Sequence, residues 1–305
     1  MSRGIDAGTG LLGLLGHPVE HSLSPLFMNR ALEELSLNFR YLAFGIPPPD
    51  LEAAVAGLRS LGLRGANVTI PHKQAVIPLL DRIDGEARSI GAVNCITRRG
   101  GGLAGGNTDH LGFIKPLADR RVDLREARAL VIGCGGGARA VVYALVREGI
   151  GELVLANRSG RRARELLAWC GEELGFRKAS WIGPGTAVTQ ELADRCNLVV
   201  NTTPVGMFPR TRDCPVAGNL VFGPGRVVYD LVYNPPETRL LALARRGGAE
   251  AVNGLDMLVT QGLYALARWF PWKKERIFSL QHDIITYTRR RLSPGPARDP
   301  EQGPA

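Results

Sequence analysis

The chain has 305 residues, 45% of them apolar and 22% charged, and a formal net charge of +9. At roughly 100–200 residues per domain this suggests two domains of ordinary soluble composition. The five cysteines are widely spaced with no C-x-x-C, which argues against a disulfide framework or a zinc ribbon, and no apolar run approaches the ~18 residues of a membrane helix. These features fit a cytoplasmic protein with no membrane partner. The basic surplus is scattered as Arg98-Arg99, Arg120-Arg121, Arg161-Arg162, Arg245-Arg246 and Arg289-Arg290-Arg291. That scatter argues for anionic small-molecule ligands rather than nucleic acid, whose footprint is often one basic run with interleaved aromatics.

In chain order, residues 1–9 read as a loose polar tail. Leu11–Gly16 is a short apolar run, the pattern of a buried strand. A helix follows, with Ser24 as N-cap and Pro25 at its first position. Phe39–Phe44 reads as a strand and Pro49–Gly62 as a helix closed by Gly62. Gly65–Ile70 is a third strand, in which Asn67-Val68-Thr69-Ile70 alternates as a half-buried strand does. Pro71 cannot continue a sheet but can start a helix, so His72, Lys73 and Gln74 are expected at a strand-to-helix junction. Ala92–Arg99 and Gly102–Asn107 form a strand pair around a glycine turn, and a helix runs from about Asp109 to Ala118. Ala118–Ala127 is a polar linker.

The second half restarts as strand, glycine turn, helix and strand within about 30 residues, the size of a βαβ unit. Further helices are expected at Arg162–Gly175 and Glu237–Gly248, and further strands at Cys196–Pro204 and Gly225–Pro235. Gly254–Phe270 and Glu275–Arg291 read as long helices, and residues 292–305 as a flexible tail. Alternating strands and helices in both halves predict an open α/β architecture.

Gly133-Cys134-Gly135-Gly136-Gly137-Ala138 fits G-x-G-x-x-G/A directly after a strand and before a helix. Small residues there permit a tight turn and close approach of a pyrophosphate to the helix N-terminus. An NAD site places a carboxylate at the end of the next strand. Here Asn157-Arg158-Ser159 and Arg161-Arg162 stand in its place. Guanidinium groups suit a 2′-phosphate, so the sequence predicts NADP.

The chain resembles the shikimate dehydrogenase family over roughly residues 11–290. The resemblance rests on GHPVEHSLSP (Gly16–Pro25), NVTIPHK (Asn67–Lys73), GAVN (Gly91–Asn94), GNTD (Gly106–Asp109) and the glycine turn. It continues in NRS with Arg162, NTTPVGM (Asn201–Met207), YDLVYNPPETRLL (Tyr229–Leu241) and GLDMLVTQG (Gly254–Gly262). It implies an N-terminal open α/β substrate domain, residues 10–118 plus about 270–291, and a Rossmann-type NADP domain, residues 119–269.

The implied catalytic pair is Lys73 and Asp109. Ser22 and Ser24 would bind the substrate carboxylate, with Thr69 and Tyr233 close by, and Asn67, Asn94 and Gln261 the ring hydroxyls. Gly133, Gly135, Gly136, Gly137 and Ala138 would serve the pyrophosphate; Asn157, Arg158 and Arg162 the 2′-phosphate. Thr202, Met207, Leu231 and Gly254 would complete the cofactor contacts. The resemblance implies reversible reduction of 3-dehydroshikimate and allows monomer or homodimer.

Plainer readings stand beside these. Lys73 alone could be a surface charge, Asp109 a helix N-cap, and Ser22 and Ser24 turn and cap residues. His17 and His21 have i, i+4 spacing, but Pro18 lies between them and no third ligand is near, which argues against a metal. Alternative functions are an NAD-using quinate/shikimate dehydrogenase, an enzyme for an amino analogue, or a catalytically silent nucleotide-binding relative.

Overall fold

The structure, a computed structural model, describes residues 4–183 and 188–292; expected tail residues 1–3 and 293–305 lie outside these. The first half runs β1 (Gly10–Gly16), α1 (Ser24–Glu34), β2 (Phe39–Gly45), α2 (Leu51–Ser60), β3 (Gly65–Val68) and α3 (His72–Ala75). It continues with β4 (Arg82–Ile83), α4 (Gly85–Ile90), β5 (Cys95–Arg99), β6 (Gly102–Gly106) and α5 (Asp109–Asp119). Its sheet has the order β2-β1-β3-β5-β6-β4, with β5 antiparallel to both neighbours and the other pairings parallel. One face packs Leu12, Leu14 and Tyr41 against Phe27, Met28 and Leu32 of α1, and the other packs Leu15, Ala66 and Val68 against Leu51, Val55 and Leu58 of α2.

The second half runs β7 (Arg128–Ile132), α6 (Gly136–Arg147), β8 (Glu152–Ala156), α7 (Gly160–Glu172), β9 (Ala179–Ile182) and α8 (Gln190–Arg195). Then follow β10 (Leu198–Asn201), β11 (Val227–Asp230), α9 (Arg239–Gly247) and β12 (Glu250–Asn253). All its pairings are parallel, in the order β12-β11-β10-β7-β8-β9. Counted from β7, this is the doubly wound order, whose switch point lies between β7 and β10. Strands buried on both faces explain runs such as Ala129–Ile132 and Leu198–Val200. No described helix is long and apolar enough to cross a membrane.

The chain then returns to the first sheet through α10 (Gly254–Trp269), α11 (Lys274–Ser279) and α12 (Gln281–Leu292). Leu255, Val259, Leu263 and Leu266 of α10 share one cluster with Leu12 and Leu14, so the return begins at Gly254, not near 270. The stripe at i, i+4, i+8 and i+11 faces that sheet. Gly112 on α5 allows close approach to α10, since a Cβ there would lie 2.7 Å from Gln261 Cβ. The opposite side of α5 places Phe113 and Leu117 in one cluster with Val141 and Leu145 of α6, and Phe113 stacks on Tyr229 at 5.0 Å. Helix α5 therefore belongs to both halves.

Several local expectations differ. Ser24 is the first residue of α1 with no capping bond; Leu23 holds the cap position. Strand β3 stops at Val68 and is buried at all four positions, because it lies between β1 and β5 with both faces covered. The 275–291 helix is two helices meeting at Leu280, and Leu292 is helical rather than part of a tail. Residues 6–9 form a turn bonded to Asn38, with Thr9 Oγ1 donating to Asn38 Oδ1 at 3.0 Å.

Packing at two positions gives measurable expectations. A Cβ on Gly65 would lie 2.1 Å from Trp269 Nε1, whose N–H donates to Ile96 O. Gly65→Ala is expected to lose roughly 2–4 kcal/mol in urea unfolding by displacing the indole and breaking that bond. His110, on α5, meets the Tyr143 ring edge-on at 5.3 Å, with Nδ1 buried and unpartnered. Burial holds its pKa below 6.5, against the pull of Glu86 and Asp109. Its folded pKa is depressed, so its contribution to stability is complete above the unfolded value of about 6.5 and is lost as pH falls through the folded value. His110→Phe should flatten that part of the stability–pH curve.

Candidate active site

The junction after β3 is fixed from several sides. His72 N donates to Thr69 O at 2.9 Å, closing the turn through Pro71. The His72 ring is buried, with Nε2 2.6 Å from Ile46 O, so it anchors the junction to the chain leaving β2. Lys73 O accepts from Val93 N at 2.8 Å, tying the next residue to the entry of β5. With its backbone held, Lys73 reaches Asp109 Oδ2 with Nζ at 2.6 Å.

Asp109 is only 8% exposed. A carboxylate so placed needs compensation beyond one ion pair. Asn94 Nδ2 donates to Oδ1 at 2.7 Å, and the Asp109 N–H donates to Asn107 Oδ1 at 2.9 Å. Asp109 is not a cap as anticipated: it is the first residue of α5, after Thr108, and its carboxylate turns outward to Lys73 and Asn94. Asn94 Oδ1 accepts from Thr108 N at 2.7 Å, and Asn94 Nδ2 also lies 3.2 Å from Gln261 Oε1. Asn67 Nδ2 donates to Asn94 O at 3.0 Å, and Tyr41 OH donates to Asn67 Oδ1 at 2.9 Å. Burial holds the Tyr41 phenol well above its ordinary pKa, so it remains a neutral donor.

Lys73, Asp109, Asn67, Asn94 and Gln261, brought from four elements and one loop, thus form one hydrogen-bonded group. Ser22, Ser24 and Thr69 follow the carboxyl ends of neighbouring parallel strands β1 and β3, the edge where open α/β sheets hold ligands. Ser24 N donates to Ser22 Oγ at 3.2 Å. Tyr233 follows β11 of the other sheet yet packs against the cluster of Leu12 and Leu255.

A cleft of about 590 Å³ opens at the carboxyl edge of β7, β8 and β10. Gly133, Gly135, Asn157, Arg158, Arg162 and Thr202 line it. Gly133 has φ +103°, and a Cβ there would lie 2.5 Å from Thr202 Oγ1. Thr202 Oγ1 donates to Ile132 O at 2.8 Å, fixing that wall. Gly135 and Gly136 face open space, and no side chain caps α6, so its first N–H groups have no side-chain acceptor. This cradle fits a pyrophosphate. Arg161 pairs with Glu165 at 2.6 Å, whereas neither Arg158 nor Arg162 is in an ion pair among the described residues. Ser159 caps α7 by accepting from Arg162 N.

Gly136, Gly137, Ala138, Met207, Leu231 and Gly254 do not line this cleft. Ala138 is fully buried, in packing between helix and sheet. Leu231 lies between Gly137 and Gly254, and a Cβ on Gly254 would be 2.1 Å from Leu231 O. Met207 is exposed on the loop after β10. Tyr41, Asn107 and Thr108 were not anticipated as site supports. For Asn107 and Thr108 a signal existed, since a polar pair before a helix often turns side chains onto local N–H groups; Tyr41 carried none. No group of three or more metal-ligating side chains occurs among the described residues.

The glycines make a contrast that can be measured. Gly133→Ala should lower the unfolding temperature by several degrees, because of its positive φ and the Thr202 contact. Gly136→Ala should leave stability intact and weaken NADPH binding about tenfold or more by filling the cradle.

The profile of the shikimate dehydrogenase substrate binding domain matches residues 14–96, and that of shikimate / quinate 5-dehydrogenase matches residues 116–180. A protein of Moorella thermoacetica named shikimate dehydrogenase (NADP(+)) is 49% identical over 265 residues, covering 87% of this chain and 89% of its own length. The crystal structure of a shikimate dehydrogenase in complex with NADP+ superposes with a TM-score of 0.85 at 33% identity, covering 96% of this chain and 99% of the other. The Thermus thermophilus shikimate 5-dehydrogenase, in complex with NADP(H) and shikimate, gives 0.78 at 36%, covering 92% and 99%. With nearly half its residues shared over most of both lengths, this chain belongs to the shikimate dehydrogenase family.

Proposed function

We propose that this chain is an NADP-dependent shikimate dehydrogenase that reversibly reduces 3-dehydroshikimate to shikimate, the step its relatives' names describe. The observation that carries the catalytic reading is the Lys73–Asp109 ion pair at 2.6 Å, inside a group of amides suited to hydroxyls. Such amides both donate and accept, as a ring hydroxyl does. A site built this way rejects analogues without the hydroxyls, because its own polar groups would be left unpaired. Ser22 and Ser24 offer O–H donors to a carboxylate without adding a formal charge.

Bound NADPH supplies the hydride. The residues of the chain do the rest. Lys73 Nζ, 23% exposed in its side chain, meets the ketone oxygen, stabilises the negative charge developing there and donates a proton. Asp109 holds the ammonium in place and accepts from the substrate hydroxyl. Asn94 and Asn107 keep Asp109 oriented through the cycle. In the oxidative direction the neutral Lys73 amine takes the proton back. The cradle of Gly135 and Gly136 would hold the pyrophosphate, and Arg158 with Arg162 the 2′-phosphate.

Residues 10–118 with the returning helices would form the substrate half, and residues 119–253 the cofactor half. We place the enzyme in the cytoplasm, a reading supported by five free cysteines, three of them buried.

The test follows reduced nicotinamide with shikimate or quinate, and with NADP or NAD. Turnover with shikimate and NADP is expected, reduced about 10²–10⁴-fold in Lys73→Ala with little change in KM for NADP. Turnover confined to NAD or quinate would overturn the cofactor or substrate assignment, and an active Lys73→Ala the acid/base assignment.

A further inference from the structure

We propose that Arg210 is a third cationic ligand of the cofactor's 2′-phosphate, and so a determinant of NADP over NAD that lies outside the segment after β8. The inference rests on the NADP reading above.

Arg210 stands on the loop joining β10 to β11 and lines the same cleft as Arg158 and Arg162. The loop is held on both sides of it. Phe208 N donates to Asn234 O at 3.1 Å, Asp213 N donates to Arg210 O at 3.2 Å, and Arg239 Nη1 donates to Arg212 O at 2.8 Å. Val216, further along, is buried in the core beneath. The backbone that carries the Arg210 side chain is therefore anchored.

Charge supports the assignment. Three guanidinium groups and one carboxylate, Asp213, line the cleft. Among the described residues none of the three arginines is in an ion pair, although Arg161 beside them is. Three positive charges against one carboxylate leave the cleft with a positive excess, and this grouping is relieved by a dianion. A phosphate monoester carries about −1.5 to −2 at neutral pH. The pyrophosphate already has the uncapped N-terminus of α6; the monoester has only side chains.

Topology gives the reach. The order β10-β7-β8 places the loop after β10 two strand spacings from the end of β8, about 10 Å. A ligand group held by Arg158 and Arg162 faces the Arg210 loop across the glycine turn. An extended arginine side chain from the facing wall covers most of that distance, and its planar fork matches phosphate oxygens.

The test is direct binding to the full chain, read by NADPH and NADH fluorescence, with Arg210→Ala, Arg210→Lys and Arg158→Ala. Arg210→Ala is expected to weaken NADPH about tenfold and to shallow the salt dependence of its binding, leaving NADH within about twofold. Arg210→Lys should restore part of the loss. An unchanged NADPH affinity, or an equal loss for NADH, would overturn the proposal, the second outcome placing Arg210 on the shared part of the cofactor. If Arg158→Ala selectively weakens NADPH while Arg210→Ala does not, Arg210 alone is misassigned. If both are silent, the NADP reading falls with it.

Discussion

A carboxylate buried at the first turn of a helix must be compensated, and the compensation of Asp109 organises this molecule. An uncompensated ion at such depth costs several kcal/mol. Here the compensation comes from Lys73 after β3 and from Asn94 at the entry of β5, while Asn107 just before α5 accepts from the Asp109 backbone N–H and fixes the turn that carries it. Each partner is held in turn: Lys73 through Val93, Asn94 through Thr108 and Asn67, Asn67 through Tyr41. The strand order β1-β3-β5-β6 brings these ends together. A single buried charge thus ties the local turn after β3 to the arrangement of the sheet. The same arrangement leaves the lysine side chain 23% exposed, so a group satisfied within the protein can still meet a ligand.

The two sheets meet their ligands with different chemistry. The first offers hydroxyls, amides and one ion pair at its carboxyl edge, a set suited to a small polyhydroxy acid. The second offers backbone N–H groups at the start of α6 and unpaired guanidinium groups near β8. Neutral donors discriminate by geometry, because a missing hydroxyl leaves them unpaired. Backbone dipoles and arginines suit phosphate charge. Family membership and the doubly wound strand order are consistent with this division of labour.

The halves are not separate beads. Helix α5 begins at the buried carboxylate and ends packed against α6, and α10 covers its other side. Phe113 stacks on Tyr229 across the boundary. The two chain crossings are braced as well, since Arg120 reaches both Glu250 and Asp256, and Arg289 reaches the second oxygen of Asp256. The apolar contact at α5 and this ion network set where one half stands against the other.

Much was legible in the sequence. Pro71 marked the end of the strand–turn segment because it lacks an N–H, and the glycine turn announced a βαβ unit because Gly133 needs a positive φ that other residues avoid. The absent carboxylate after β8 and the arginines in its place carried the choice of phosphate, since charge type is a local property. What escaped was decided between distant segments. The alternation of Asn67–Ile70 suggested a half-exposed strand, yet the strand stops at Val68, and neighbours on both sides bury Asn67 and Val68 alike. Ser24 and Asp109 looked like caps, but their backbone positions lie inside the helices. The apolar stripe of α10 is equally regular whichever core it faces, and only packing assigned it to the first sheet. Local signals give residue type, period and turn geometry; which partner satisfies a buried polar group, and which face a helix covers, depends on segments far away in the chain. For that reason Tyr41, which reaches Asn67 from a distant strand, emerged as a support of the site only in the tertiary structure.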